Sequence, residues 1–323
     1  MSRSIPWDEI ATPHVDYTVR RVAGTAGVPL YWGKDAVGQC LLIVELKGDH
    51  SVDYRRGTTT LYGIGVDLRD GENSQKQRLV LTLARQVDRD LFLGLCETLI
   101  ASLASVTDSH VALNITLTHL KRWKAFLAGR KARMLSDEEV RGLFAELHVL
   151  RALYQRTLSQ EAAVDAWCGA DAAHQDFIFG NTAVEVKSLS GRERSSVRIS
   201  SEDQLEGLTD DLFLMTVRLS DVPDAEQSRS LNELVALIEQ DLTVAEALEQ
   251  FSNRIGGCGY APLADYDTPR FVVSSTQAYR VNEKFPRLIR SQLPQGLTRL
   301  SYEIKLEAIA PFACDDGEIF GSS

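Results

Sequence analysis

The sequence has few cysteines, and none of them forms a disulfide or metal-binding pattern. The count is odd, no Cys-x-x-Cys pair occurs, and the residues are widely spaced, at Cys40, Cys96, Cys168, Cys258 and Cys314. Small disulfide-stapled domains and cysteine zinc sites need an even or closely spaced set. The cysteine content therefore predicts a protein of a reducing compartment, the cytoplasm.

Long hydrophobic runs are also missing. The longest apolar stretch, residues 91–104, is interrupted by Glu97 and Thr98, whereas a membrane-spanning helix needs about 20 predominantly apolar residues. Residues 1–9 contain no apolar segment typical of a signal peptide. With 323 residues, of which 44% are hydrophobic and 25% charged, the sequence predicts a globular protein of one large or two modest domains.

The chain lacks an excess of positive charge. Its formal net charge is −10, from 35 Lys and Arg against 45 Asp and Glu. A protein that coats nucleic acid nonspecifically neutralises many phosphates with basic residues, so the composition argues against that class. It remains compatible with an acidic enzyme that concentrates basic residues locally.

The segment from Asp176 to Ser188 carries the strongest functional pattern. Apolar and polar residues alternate on both sides of Gly180-Asn181, as in two strands joined by a two-residue turn. If Gly180-Asn181 is the loop, Asp176 lies directly opposite Glu185. Cross-strand partners have Cβ atoms roughly 5 Å apart, so these two carboxylates can share one divalent cation. Lys187 shares their face of the hairpin.

Two other Glu-x-Lys sequences compete with this assignment. Glu45-Leu-Lys47 has Asp35 upstream but no room for a comparable preceding helix, and Glu303-Ile-Lys305 has no aspartate within the reach of a hairpin. Before Glu185, by contrast, Ser136 and Glu139 form a capping box that begins an amphipathic helix. The context of Glu185 therefore favours it as the functional glutamate.

The remaining pattern predicts two domains. Strands at 39–47, 59–68 and 77–83 and a helix at 88–105 indicate an N-terminal α+β module, residues 1–115. A basic helix at 116–129 marks the junction. In residues 116–323 we expect the helix that starts at Ser136, the hairpin, and further elements: a strand at 196–200, a helical turn at 201–207, a strand at 211–219, a helix at 231–251, and strands at 270–275 and 298–308.

This order of helix, β-hairpin, strand and helix, with an acid followed by acid-x-lysine, resembles the PD-(D/E)XK nuclease superfamily. Here His174-Gln175-Asp176 replaces the Pro-Asp step. Segments from Leu135 to Leu147, around Trp167, and from Ile199 to Leu205 resemble a bacterial family of PD-(D/E)XK motif proteins, and the resemblance extends to Tyr302–Phe312. It implies that residues 116–323 form a restriction-endonuclease-like core, a mixed central sheet flanked by helices.

The resemblance also implies roles for particular residues. Asp176 and Glu185 would hold Mg²⁺, for which Mn²⁺ would substitute, and the backbone carbonyl of Val186 could add a ligand. Lys187 would orient or deprotonate the attacking water. Glu146 could reach the same metal or a second one, and Gln204 resembles an auxiliary polar residue that contacts nucleophile or substrate. The activity implied is Mg²⁺-dependent cleavage of DNA.

Basic residues flank the motif on both sides and are candidates for contact with the phosphate backbone: Lys121, Arg122, Lys124, Arg192, Arg194 and Arg198. Such families are often encoded beside ATPases and DNA methyltransferases in restriction or phage-defence neighbourhoods, which implies a protein partner. A homodimer is also compatible with the sequence. The N-terminal module would then serve assembly or target engagement.

Several alternatives stay open at this stage. Asp176, Glu185 and Lys187 could form a solvated strand face with a surface ion pair. The chain could be a catalytically silent subunit that keeps the nuclease fold as an assembly or DNA-engagement module, or a nuclease that acts on RNA or modified DNA. Glu146 could be a plain exposed residue, and Gln204 a helix-surface or capping residue.

Overall fold

The fold is described from a computed structural model. The chain divides into two compact units: Met1–Arg133 with Gly259–Ala264, and Met134–Cys258 with Asp265–Ser323. The structure describes residues 5–58, 61, 63–71, 75–84, 89–128, 134–169, 174–190, 195–206, 209–297 and 300–321.

The first unit is built on a five-stranded antiparallel sheet. Its strands are β1 (Tyr17–Arg21), β2 (Leu30–Asp35), β3 (Cys40–Lys47), β4 (Ile64–Asp70) and β5 (Lys76–Leu83), in the order β1-β2-β3-β5-β4. Three helices accompany it: α1 (Ser51–Gly57), α2 (Arg89–Leu103) and α3 (Ser109–Ala128). This is the α+β composition that the sequence predicts.

The first unit extends beyond the predicted domain boundary and includes all of helix α3. The sequence places the domain boundary between residues 115 and 116, which falls inside α3. In the structure α3 packs against α1, α2 and β3, and the whole helix belongs to the first unit. The basic residues Lys121, Arg122 and Lys124, which the predicted boundary assigns to the second domain, therefore lie on a helix of the first unit.

The core of the first unit is nearly free of polar side chains along β3, where residues 40–46 are all buried. Trp7 closes one side of it. Its ring meets Trp32 edge-on at 5.0 Å and stacks on Phe92 of α2 at 5.4 Å. Its indole N–H donates to the carbonyl of Leu41 at 2.9 Å, so the one polar atom of this large apolar ring is paired.

The second unit contains a five-stranded mixed sheet. Its strands are ordered β12-β10-β9-β7-β6; β7 and β9 run parallel and the other pairs antiparallel. The strands are β6 (Phe177–Phe179), β7 (Thr182–Ser190), β9 (Asp211–Asp221), β10 (Phe271–Arg280) and β12 (Ala313–Cys314). A separate antiparallel pair is formed by β8 (Ser196–Ile199) and β11 (Tyr302–Lys305).

Helices flank this sheet, which confirms the predicted fold class. They are α4 (Asp137–Arg156), α5 (Gln160–Ala166), α6 (Leu231–Asp241), α7 (Ala245–Gly257), α8 (Leu306–Ile309) and α9 (Gly317–Phe320). Helix α4 begins with the predicted capping box: the Ser136 hydroxyl accepts from the Glu139 N–H, and the Glu139 carboxylate accepts from the Ser136 N–H. Its buried face packs on β7, and Phe144 meets Phe271 at 5.1 Å.

The opposite face of β7 contains charged residues between apolar ones. Ala183 and Leu189 belong to a buried cluster with residues of β8, β9, β10 and β11. Because side chains alternate along a strand, Glu185 and Lys187 point to the same face as Ala183 and Leu189. A carboxylate and an amine thus interrupt an otherwise apolar strand face.

Several predicted elements differ in extent from the structure. Helix α3 begins at Ser109 and not at 116, β4 begins at Ile64 and not at 59, and β10 extends to Arg280 and not to 275. The helix expected at 231–251 is two helices, because α6 ends at Asp241 and α7 begins at Ala245. Oε1 of Gln160 accepts from the backbone N–H of Thr243 at 2.8 Å and of Val244 at 3.3 Å, which stabilises the break. The strand expected at 298–308 covers only Tyr302–Lys305, and α8 follows at once. No helix in the described part of the chain is long and apolar enough to cross a membrane.

Candidate active site

The hairpin of β6 and β7 has the predicted register. Phe179 pairs with Thr182 and Phe177 with Val184, so Gly180 and Asn181 form the two-residue loop. Gly180 has a φ of +53°, a left-handed conformation that glycine adopts without steric cost. Asp176 precedes the first paired residue and lies on the Glu185 side of the hairpin.

Asp176 is fixed by both its backbone and its side chain. Its carbonyl accepts from the N–H of Cys168 at 2.8 Å, and its Oδ2 accepts from the N–H of Val186 at 2.7 Å. The second bond joins the aspartate to the strand that carries Glu185. One carboxylate oxygen, Oδ1, is left for another partner.

Glu185 is almost completely buried, with 1% of its side chain exposed, and makes an ion pair with Lys187. Oε1 lies 2.7 Å from the amine of Lys187. The other oxygen, Oε2, is buried and has no hydrogen-bond partner among the described residues. Since buried acceptors are nearly always paired, this oxygen is a candidate position for a proton, a water molecule or a cation.

Gln204 holds the amine of Lys187 from the other side. Its Oε1 accepts from Lys187 Nζ at 3.1 Å and from the backbone N–H of Ser200 at 2.8 Å. Both partners are donors only, so the amide oxygen must face them. Gln204 lies on a short 3₁₀ helix, Glu202–Leu205, which Gln175 anchors by donating to the carbonyls of Asp203 and Gln204.

Glu146 reaches the site from α4. Its Oε2 accepts from the indole N–H of Trp167 at 2.9 Å, and Trp167 is completely buried against Phe251. The tryptophan is thus a core residue that also orients Glu146. In the structure Glu146 lines the same cavity as Asp176 and Glu185, so it is not a plain surface glutamate.

The three carboxylates hold protons more strongly than isolated carboxylates do. Burial, and next the neighbouring Asp176, raise the pKa of Glu146 from 4.5 to about 8. Burial also raises the pKa of Asp176, and burial followed by repulsion from Asp176 raises the pKa of Glu185 well above its usual value. The positive charge of the Lys187 amine lowers the pKa values of all three carboxyl groups, but it does not cancel the increase caused by burial. Perturbed groups of this kind are enriched at functional sites.

These side chains line a cavity of about 540 Å³. Arg141 and Gly142 of α4 and the exposed Arg198 of β8 also form its wall. Arg198 is held by a bond from its Nε to the hydroxyl of Ser301 at 3.2 Å. The cavity therefore combines a carboxylate cluster with basic groups, an arrangement that suits a bound cation and an anionic substrate together.

The donor set fits a small divalent cation. Mg²⁺ prefers oxygen ligands and is usually held by one or two carboxylates with several waters. Asp176 and Glu185 each have one oxygen not used by the protein. Glu146, Asp176 and Glu185 do not bring one oxygen each within 4.8 Å of one another, although all three belong to the described chain. Asp176 and Glu185, which lie opposite each other on the hairpin, are the candidate ligands, and Glu146 lines the same cavity.

The predicted nucleic-acid contacts are divided between the two units and a segment outside the described residues. Lys121, Arg122 and Lys124 lie on α3 of the first unit, and Arg192 and Arg194 lie outside the described residues. Arg198 is the member of that set that the structure places at the cavity. His174 is exposed, and its Nδ1 lies 3.9 Å from Asp203; it does not line the cavity.

The competing Glu-x-Lys sequences have ordinary structural explanations. Glu45 is buried in the first unit, where it pairs with Lys76 at 2.7 Å and Arg78 at 3.6 Å, so its charge is already balanced. The Asp35 carboxylate accepts two backbone N–H groups of its own turn. Glu303 accepts from the hydroxyl of Ser196 on the neighbouring strand.

Sequence reasoning missed Arg141, Gly142 and Gln175. Arg141 and Gly142 lie on α4, four or five residues before Glu146, and helical residues three to four apart share a face. Because Gly142 lies four residues before Glu146, this spacing could have predicted that the two residues share a helix face. Gln175 directly precedes Asp176 but is buried and faces the segment of Gln204, a long-range contact without a local pattern.

The mixed sheet of the second unit, with the hairpin that carries Asp176, Glu185 and Lys187, is consistent with a PD-(D/E)XK-like fold. The chain belongs to the family described as "Putative PD-(D/E)XK family member, (DUF4420)", whose model matches residues 4–307. No curated protein and no solved structure matches the chain significantly.

Proposed function

We propose that this protein is a divalent-metal-dependent endonuclease that hydrolyses phosphodiester bonds of DNA. The observation that carries the proposal is Oε2 of Glu185, a buried acceptor with no hydrogen-bond partner in the described part of the chain, in a residue that lines the cavity with Asp176. Burial disfavours the charged forms of both carboxylates, and repulsion from Asp176 adds to this effect at Glu185. A divalent cation would offset both effects.

Asp176 and Glu185 would hold Mg²⁺ or Mn²⁺, with the carbonyl of Val186 as a candidate further ligand. When bound, the ion would acidify a water molecule and offset charge on the phosphate. Glu146, whose pKa is raised to about 8, would hold a proton near the cavity at neutral pH. It is positioned to exchange that proton with water in the cavity.

Lys187 would orient the attacking water and offset the charge that develops on the phosphate. Its amine is held between Oε1 of Glu185 and Oε1 of Gln204. An ammonium has three donor hydrogens, so one remains for water or a phosphate oxygen. Gln204 is a positioning residue in this scheme, because it acts through the lysine.

Arg141 and Arg198 support a nucleic-acid substrate. Both line the cavity, and guanidinium groups match phosphate oxygens in geometry and charge. Neither makes a salt bridge to an acidic residue of the described chain. They are available to bind the phosphates on either side of the scissile bond.

The biological setting that we propose is a restriction or anti-phage system. The support is the resemblance to motif proteins found in such neighbourhoods. An ATPase or a methyltransferase is the proposed partner, with the first unit serving assembly or target engagement. A homodimer would let two such sites cut opposite strands.

The test is cleavage of supercoiled plasmid, linear duplex and single-stranded DNA by the purified protein with Mg²⁺, Mn²⁺ or EDTA. Asp176→Asn is the inactivating variant, and Glu303→Gln, which alters a Glu-x-Lys sequence outside the site, is the matched control. We expect metal-dependent cutting by the wild type and the control only. Equal cutting by Asp176→Asn would refute the site, and no cutting under any condition would favour the silent assembly subunit.

A further inference from the structure

The first unit contains a second cluster of metal-ligating side chains that the proposed nuclease activity does not use. We propose that His50, Asp53 and His110 form a binding site for a zinc ion. One ligand atom from each of the three lies within 4.8 Å of the other two. All three belong to the first unit, so the proposal is independent of the carboxylate cavity.

The separation between the ligand atoms of His110 and Asp53 suits tetrahedral coordination. Nδ1 of His110 lies 3.3 Å from Oδ2 of Asp53. Zinc binds imidazole nitrogen and carboxylate oxygen at about 2.0–2.2 Å, and two such ligands of a tetrahedral ion lie roughly 3.3 Å apart. Two imidazoles and one carboxylate are a usual zinc set with a fourth position for water.

The side chain of His50 is already set for metal binding. Its Nε2 lies 2.9 Å from the carbonyl oxygen of Lys47. A carbonyl only accepts, so Nε2 carries the hydrogen, and in the neutral ring Nδ1 keeps the lone pair. Metal-binding histidines commonly donate their other N–H to a backbone carbonyl in this way. His50 is also 7% exposed, so its ring is fixed by packing.

The segment that carries His50 is held by Gln77 of β5. The His50 backbone N–H donates to Oε1 of Gln77 at 2.7 Å. Nε2 of Gln77 in turn donates to Oδ1 of Asp49 at 3.3 Å and to the hydroxyl of Ser51 at 3.1 Å. This network places His50 at the start of α1, one turn before Asp53.

His110 is held in a similar way at the start of α3. The Asp108 carboxylate accepts from the N–H of Val111 at 2.9 Å, which caps the helix. The hydroxyl of Ser109 accepts from the N–H of Lys47 at the end of β3. A zinc ion would therefore connect the first turns of α1 and α3 beside the end of β3.

The local charge favours a cation. The carboxylates of Asp49 and Asp108 add negative charge beside His50 and His110. A simple ion pair between His110 and Asp53 is the competing explanation, because both side chains are partly exposed, at 57% and 38%. Such a pair would not involve His50, whose Nδ1 has no hydrogen-bond partner among the described residues.

The experiment is calorimetric titration of the EDTA-treated full-length protein with ZnCl₂, paired with the visible absorption of the Co²⁺-loaded protein. We expect one zinc ion per chain at this site and an intense tetrahedral Co²⁺ band. His110→Ala and Asp53→Asn change exposed side chains and should weaken zinc binding at least about tenfold. Zinc should also raise the melting temperature of the wild type but not of these variants.

His14→Ala, which removes an exposed histidine of the same unit, is the matched control and should bind zinc like the wild type. Asp176→Asn should also leave this site intact, which separates it from the carboxylate cavity. The proposal is overturned if no zinc binds, or if His110→Ala and Asp53→Asn bind as tightly as the wild type. A Co²⁺ spectrum dominated by thiolate charge transfer would likewise assign the metal to cysteine and overturn it.

Discussion

Nζ of Lys187 lies 2.7 Å from Oε1 of Glu185, two residues away on the same face of β7. Both side chains are largely buried: 16% of the Lys187 side chain and 1% of the Glu185 side chain are exposed. Burial of an ion pair costs desolvation energy that its attraction offsets only in part, so it is a poor device for stability alone. The arrangement is better explained by the second oxygen of Glu185, which remains available to a ligand.

Removal of one carboxylate should stabilise the protein when no metal is present. In Asp176→Asn an amide oxygen can still accept from the N–H of Val186, while the repulsion that raises the pKa of Glu185 and Glu146 disappears. We expect the free energy of unfolding in EDTA to rise by roughly 0.5–2 kcal/mol, with loss of cleavage. Urea denaturation of both proteins in EDTA would measure this change in the free energy of unfolding. A destabilised Asp176→Asn protein would indicate a structural role for the carboxylate.

Glu146 should make stability depend on pH. Its pKa is about 8 in the folded protein against 4.5 ordinarily, so folding favours its protonated form. That contribution is complete below pH 4.5 and is lost as the pH rises towards 8. Glu146→Gln cannot ionise, so in EDTA its stability relative to the wild type should increase across this interval. Chemical denaturation at several pH values measures the difference, and a constant difference would contradict the assignment.

Gln204 should affect catalysis through Lys187 and leave metal binding unchanged. Gln204→Leu removes the acceptor that holds the lysine amine, and a misplaced catalytic group costs about 10²-fold in rate. Gln204→Glu keeps an acceptor for the lysine amine and should retain more activity than Gln204→Leu. Equal rates for wild type and Gln204→Leu would show that the contact is incidental.

Glycine at position 142 should make α4 less stable than alanine would, while it leaves room for the substrate in the cavity. It lies inside α4, where glycine is about 1 kcal/mol less favourable than alanine. A Cβ there would meet no atom within 4 Å, so packing does not require glycine. It lines the cavity, one helical turn from Glu146. Gly142→Ala should therefore be about 1 kcal/mol more stable but cleave DNA more slowly, with a raised KM. Unchanged kinetics would remove Gly142 from the substrate path.

Local patterns explain which parts of the fold were predictable from sequence. The capping box of Ser136 and Glu139 and the Gly180-Asn181 turn depend on neighbouring residues, and both are confirmed. The break between α6 and α7 has no glycine or proline signal; it depends on Gln160, some 80 residues earlier. No local pattern reports such a contact, which is why one long helix was expected.

The candidate site likewise contains some residues whose positions follow from local sequence and others whose positions depend on long-range contacts. Asp176 and Glu185 are placed by strand alternation and one turn, so their proximity follows from sequence. The contact of Gln204 with Lys187 requires the 3₁₀ helix to fold back over β7, and Trp167 reaches Glu146 only in the packed core. The pairing of His50 with Asp53 and His110 likewise brings together residues 60 positions apart in sequence, beyond any local motif.

The most direct test of the central claim is a crystal structure of the protein grown with MnCl₂, with anomalous scattering collected to locate the ion. We predict an anomalous peak for a manganese ion in the carboxylate cavity, where Oδ1 of Asp176 and Oε2 of Glu185 bind the ion. The peak should be missing in Asp176→Asn. A cavity without manganese at saturating concentration, with Oε2 of Glu185 bonded to a protein group or protonated, would contradict a metal-dependent nuclease.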